Sequence, residues 1–161
     1  VKHPHGPFVA IIGGSKVSSK LKILKSLLPL VDTLVIGGGM VFTFLKAQGL
    51  EIGRSLFEES ALADAKQFLE LAKKSSAKII FPVDQIVANG LDKPETARLV
   101  DIKKIPADMM GLDIGTLTIE LITAEAKTAK TILWNGPLGV FETPAFAHGT
   151  IAVAEAVILA P

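Results

Sequence analysis

No cysteine occurs in this chain. Its absence excludes disulfide frameworks, thiol nucleophiles and thiolate metal sites, and it fits a reducing compartment. An excess of one charge is also missing, since 17 Lys and Arg stand against 16 Asp and Glu. Nothing in that balance points to nucleic acid or to an anionic membrane surface, so any positive feature that matters is local. No hydrophobic run reaches the roughly 18 residues that a membrane span needs. The opening VKHPHGPF lacks the apolar core that follows the basic start of a secretory leader. No group of side chains has metal-ligand spacing, and no internal repeat or low-complexity tract is visible. Two nucleotide signatures are absent as well. There is no G-x-x-x-x-G-K-[ST], and in VIGGGMVF the residues Val41 and Phe42 stand where G-x-G-x-x-G would need glycine. An ordinary P-loop is thereby excluded and a dinucleotide fingerprint is weak.

What is present is apolar. Of the 161 residues, 49% are hydrophobic, and the mean hydropathy is +0.47. That is high for a free-standing soluble domain. With no initial methionine and an apolar end, IAVAEAVILAP, it suggests a piece of a longer protein with surface meant to meet other parts. The length fits about one domain.

Short, β-branched apolar runs alternate with helical patterns. Strands are expected at Phe8–Ile12, Thr33–Ile36, Lys78–Pro82, Arg98–Ile102, Met109–Asp113 and Thr131–Trp134. Runs of this kind suit strands covered on both faces. Helices are expected from a Ser18 or Ser19 cap to about Leu28, over Met40–Gln48, Phe57–Ser75 and Thr118–Ala129, and from Thr143–Pro144 to about Leu159. The segment Val83–Ala107, with its Asn89-Gly90, Lys93-Pro94 and Ile105-Pro106 turn signals, reads as loop with one short strand. The pattern predicts an α/β fold, three-layer α/β/α, with a mainly parallel, Rossmann-like sheet.

Four strands run into glycine-rich turns: IIGGSK (11–16), VIGGGM (35–40), MGLDIG (110–115) and WNGPLG (134–139). In an open parallel sheet ligands sit outside the carboxyl ends of the strands, so these turns are expected along one rim. The first turn also opens a helix, whose free N–H groups favour an anion. Lys16 and Lys20, four residues apart, would project from one face, and two ammonium groups side by side call for an anion between them. Ser15 points to the same spot. The turn reads as a phosphate site, although a lone lysine pair is more often a solvated face. In WNGPLGVFE (134–142), Asn135 and Gly136 turn the chain, Phe141 suits an adenine ring and Glu142 suits ribose hydroxyls; a capped turn before Pro144 is the equally plain alternative. Asp84 and Asp113 fall at strand ends, where turn, capping and catalytic roles are all open. His3 and His5 lie in the irregular start, and His148 lies within a helix.

Taken together, GGSKVSSK (13–20), IGGGMVFTFLKAQG (36–49), EIGRSLFEE (51–59), FPVD (81–84), MGLDIG (110–115) and WNGPLGVFE (134–142) resemble the phosphoglycerate kinases over almost the whole chain. The resemblance implies an enzyme of glycolysis, a phosphotransferase with a carboxyl group as acceptor. The reaction moves a phosphoryl group between 1,3-bisphosphoglycerate and ADP, giving 3-phosphoglycerate and ATP, with Mg2+. It implies that residues 1–161 form most of the nucleotide-binding, C-terminal domain of a two-domain kinase, with the glycerate-binding domain and a final segment lying elsewhere. This chain alone is then expected to be inactive.

Residue by residue, the resemblance makes Lys16 the group that stabilises the transferring phosphoryl, and Lys20 a ligand of the nucleotide phosphates. Gly14, Ser15, Gly38, Gly39, Gly111 and Gly136 become backbone positions near the nucleotide. Leu138, Phe141 and Glu142 become the adenosine pocket. No metal ligand falls in this chain, because the family's metal-associated aspartate belongs to a later G-G-G-D-[ST] run. The implied partners are a nucleotide and, through the other domain, a glycerate phosphate, without nucleic acid or membrane. The implied parent is a monomer of the cytoplasm, with plastids left open. Gly115-Thr116-Leu117 departs from the family's Gly-Pro, and Ser19 replaces an aspartate of some members. Two rival readings remain: a dehydrogenase with a phosphate-bearing ligand, and a non-catalytic module whose glycine turns are structural.

Overall fold

The computed structural model describes residues 6–160; His3 and His5 lie outside them. Four parallel strands form one sheet in the order β3-β2-β1-β7, with β1 Phe8–Ile12, β2 Thr33–Ile36, β3 Lys78–Ile80 and β7 Thr131–Asn135. The continuous apolar runs of β1 and β2 arise because both faces are covered. Phe8, Ala10 and Ile12 pack into one core together with α1 (Val17–Leu27), α2 (Met40–Ala47) and α3 (Leu62–Lys74). Val9 and Ile11 face a second core with α4 (Thr116–Thr128) and α5 (His148–Ile158). Alternation along a strand thus produces the three expected layers. Apolar side chains remain exposed on the α5 layer, with Ile158 at 80% and Leu159 at 84%.

The segment Val83–Ala107 is more ordered than its turn signals suggest. Asp84–Ala88 is a strand, β4. It pairs antiparallel with β5 (Arg98–Asp101) on one side and β6 (Met110–Ile114) on the other, forming a separate three-stranded sheet. The polar residues Asp84 and Gln85 that open β4 are both buried. MGLDIG is accordingly a strand of this second sheet rather than a turn at the rim of the first. Gly111 lies opposite Val87, beside a register irregularity that leaves Leu112 without a partner in the ladder.

Helix starts also differ from expectation. Lys16, not a serine, is the N-cap of α1, with extended backbone, and no side chain of its own caps the helix. Pro144 opens a short 3-10 turn, Pro144–Phe146, and α5 begins only at His148. Helix α4 begins two residues earlier than its apolar pattern indicated. Its N-cap is Gly115, and Thr116 takes the first helical position, where proline is also favoured. The change from Gly-Pro therefore leaves a helix start in place.

Candidate functional site

The turns after β1, β2 and β7 meet at the carboxyl rim of the parallel sheet. Gly13 N–H donates to Asn135 O at 2.8 Å, Gly14 N–H to Pro137 O at 3.2 Å, and Met40 N–H to Gly14 O at 3.0 Å. The contact tolerates no side chain at its centre. Gly38 has φ +76°, and a Cβ there would lie 2.5 Å from both Gly14 N and Gly14 O. Glycine is required by conformation and by space together.

Against this junction lies a cavity of about 350 Å³, a size that suits a small-molecule ligand. Gly14, Ser15, Gly38 and Gly39 line it from the first two turns, and Pro137, Leu138, Gly139, Val140 and Glu142 from the loop after β7. The second sheet supplies Gln85 and Met110–Asp113, including Gly111. Phe42, Leu56 and Leu91 complete the lining, with Leu56 72% exposed at the mouth. Of the residues expected at a nucleotide, Gly14, Ser15, Gly38, Gly39, Gly111, Leu138 and Glu142 are brought together here. Gly136 and Phe141 instead border a neighbouring, shallower concavity with Trp134, Pro137 and Thr150. A larger hollow of about 730 Å³ between α3 and the edge of β3 takes no residue from the glycine-rich turns.

The two lysines sit in different surroundings. The Lys20 side chain runs under Gly14, with its Cε 2.8 Å from where a Cβ would sit, and its ammonium donates to Asn135 Oδ1. Lys16 is exposed at the N-cap of α1. The helix start that was expected to face a phosphate is already met by a carboxylate. Glu58 accepts from Ser18 N–H at 3.0 Å and from the Ser18 hydroxyl. The Ser18 hydroxyl bond foremost, with the neighbouring backbone N–H groups and the charge of Lys16, holds the Glu58 carboxyl below the usual range against a partial burial that pushes it up. Glu58 is placed by its own N–H, which donates to the buried Thr43 hydroxyl at 2.9 Å. At this rim the start of α1 is thus engaged by Glu58 and the Gly14 N–H by Pro137 O, which leaves the N–H groups of Ser15, Gly38 and Gly39 without a protein acceptor among the described residues.

Sequence reasoning missed Phe42, Leu56, Gln85 and Leu91, which reach the cavity from distant elements. For Leu56 and Leu91 a signal existed: a large apolar residue within a polar, turn-rich stretch.

Asp113 is buried at the edge of the cavity. Its Oδ1 accepts from Ile114 N–H and its Oδ2 from Gly149 N–H, both at 2.9 Å. Burial pushes its carboxyl up to about 6, while those N–H groups and the nearby His148 act the other way. Since the folded protein holds this proton more tightly than the unfolded chain does, stability falls as pH rises from 3.8 through about 6. In Asp113→Asn that slope should flatten between those pH values. The variant should also lose about 1–3 kcal/mol, because an amide NH2 cannot accept the second N–H. Urea titrations at several pH values read both effects; an unchanged slope would show that another group titrates there.

Mg2+ does not find a cage in this cavity. Among the described residues no group of three His, Asp or Glu side chains could hold a metal. Of the cavity's two carboxylates, Asp113 has both oxygens engaged by backbone N–H groups.

The architecture is that of a helix-flanked, mainly parallel α/β domain with a ligand-sized cavity at the carboxyl ends of its strands. The sequence pattern of the family "Phosphoglycerate kinase" matches residues 1–160, and the chain belongs to that family. It is 51% identical over 156 residues to the phosphoglycerate kinase of Clostridium novyi (strain NT), covering 97% of this chain and 39% of that protein. To the phosphoglycerate kinase of Chlorobium phaeovibrioides it is 52% identical over 160 residues, covering 99% of this chain and 40% of the relative. Among solved structures, phosphoglycerate kinase from Coxiella burnetii superposes with a TM-score of 0.93 at 43% identity, over 99% of this chain and 41% of that one. The enzyme from Pyrococcus horikoshii OT3 gives 0.82 at 26% identity, over 98% and 40%. The chain thus spans about 40% of the length of the relatives it matches. Among the described residues no helix is long and apolar enough to cross a membrane.

Proposed function

We propose that this chain forms the ADP/ATP-binding part of a phosphoglycerate kinase, acting in glycolysis between 1,3-bisphosphoglycerate and ADP. Residues 1–161 are most of the nucleotide domain, and a second domain brings the glycerate phosphate. The reading rests on one observation: three glycine-rich turns converge on a single cavity in a chain of this family.

The phosphates lie against the backbone of Gly14, Ser15, Gly38 and Gly39, with Lys20 beneath them. The nucleoside lies toward Leu138 and Glu142, with Phe141 and Gly136 at its border. Lys16 meets the transferring phosphoryl once the other domain closes and excludes water. Phosphoryl transfer needs positioning and charge stabilisation above all, and both strengthen in a dry site. Mg2+ would be held by the nucleotide's phosphates and by protein ligands outside this chain, and would supply charge neutralisation there. The parent works as a monomer in the cytoplasm.

The test is a coupled assay on the full-length protein beside the 161-residue chain. Turnover is expected in the first and none in the second, and ADP should raise the melting temperature of the full-length protein. NADH binding more tightly than ADP would favour a dehydrogenase. No thermal shift with ADP, with Lys16→Ala and Lys20→Ala both silent, would favour a non-catalytic module.

A further inference from the structure

Gln85 is a buried polar side chain that the mechanism above leaves without a task. It is 3% exposed, on β4 of the second sheet. Its backbone is held in the ladder between Val100 and Ile114. Among the described residues its carboxamide makes no hydrogen bond to protein, and its polar atoms are not sealed off but line the cavity. Its Oε1 lies 3.1 Å from where a Cβ on Gly111 would sit, and the Phe42 ring lies 2.2 Å from that same point. Any side chain at position 111 would collide with Phe42 and crowd the amide, so glycine keeps the approach to Gln85 open. The surrounding lining is apolar: Phe42, Leu91, Met110 and Leu112.

A buried amide that could as well be leucine or valine is costly unless something bonds to it. A carboxamide offers one acceptor and two donors side by side, and half a turn about its last bond exchanges them. That pair matches a purine edge: the 6-amino group of adenine donates to Oε1 while a ring nitrogen accepts from Nε2.

We propose that Gln85 reads the base, its carboxamide hydrogen-bonding the 6-position and the adjacent ring nitrogen of a purine inserted between the apolar side chains of the cavity. The inference rests on the nucleotide reading of this site and adds to it a specificity-determining residue. Because the amide can turn, adenine and guanine are both accepted, and a purine bare at position 6 leaves half of the amide unpaired.

The test is calorimetric binding of ADP, GDP and purine riboside diphosphate, which lacks the 6-amino group, to the full-length protein and to Gln85→Met and Gln85→Glu. The unmodified protein should prefer ADP over purine riboside diphosphate by about 10-fold, the cost of leaving one buried hydrogen-bonding group unmet. In Gln85→Met, which keeps the volume and removes the polar atoms, that ratio should fall to about 1. Gln85→Glu replaces the donating half of the amide with a second acceptor, which faces the ring nitrogen of adenine or O6 of guanine, so it should weaken ADP and GDP alike. A merely structural Gln85 would move all three ligands together in Gln85→Met. If ADP binds and its preference over purine riboside diphosphate is the same in the unmodified protein and in Gln85→Met, this inference is wrong and the nucleotide reading stands. Failure of the unmodified protein to bind ADP would sink both.

Discussion

Lys16→Ala is expected to lower kcat of the full-length protein by about 10²- to 10³-fold, the usual loss when one preorganised positive group is removed from a developing oxyanion. The Michaelis constant for ADP should change little. The expectation comes from placement. Lys16 sits at the N-cap of α1 in extended backbone (φ −123°, ψ 126°), outside the lining of the cavity, with its charge felt by Glu58. On the proposed function, a group so placed would leave the ground-state nucleotide to others and act once a second domain brings the acceptor and water leaves, where its charge would be worth far more than on an open surface. Lys20 lies under Gly14 and bonds to Asn135, so Lys20→Ala should show the opposite split. ADP affinity should fall, and the difference from the unmodified protein should shrink with added salt. Steady-state kinetics of both variants decide the matter. If Lys16→Ala weakened ADP binding and left kcat intact, the two roles would have to be exchanged.

The parallel half of the fold is plain in the sequence for a simple reason. A strand buried on both faces has no room for polar residues, so FVAII and TLVI announce themselves. The second sheet is hidden because β4 begins with Asp84 and Gln85, and each is polar for a reason that lies elsewhere in the chain. Asp84 serves the start of α4, and Gln85 opens into a cavity built from other elements. No local window contains either partner. The glycine turns after β1, β2 and β7 were legible as a converging set because strand order in a parallel sheet brings carboxyl ends together. The anion at α1 was not: the carboxylate that meets Ser18 comes from Glu58, 40 residues away. Phosphate and carboxylate satisfy the same helix start, and the dipole argument cannot choose between them.

Asp84→Ala should cost the full-length protein about 3–5 kcal/mol of stability, the loss typical of removing one partner from a buried, charged hydrogen-bond network. Asp84 is 4% exposed and reaches from the second sheet to the first turn of α4. Its Oδ2 accepts from Leu117 N–H at 2.9 Å; its Oδ1 accepts from Thr118 N–H at 3.1 Å and from the Thr118 hydroxyl at 2.5 Å. The same hydroxyl accepts from Val83 N–H at 3.0 Å. Helix α4 has no cap of its own: Gly115 precedes it, and no side chain there bonds to the free N–H groups. One carboxylate therefore does the work of an N-cap from 33 residues away in sequence, and it binds the antiparallel sheet to the helix layer in doing so. Alanine strands three donors at once, the Leu117 N–H and the buried N–H and hydroxyl of Thr118. Asp84→Asn keeps the shape and one accepting oxygen, so it should cost about 1–3 kcal/mol. Urea unfolding of the three proteins gives the ranking. An alanine variant within 1 kcal/mol of the parent would mean that α4 holds its first turn without Asp84.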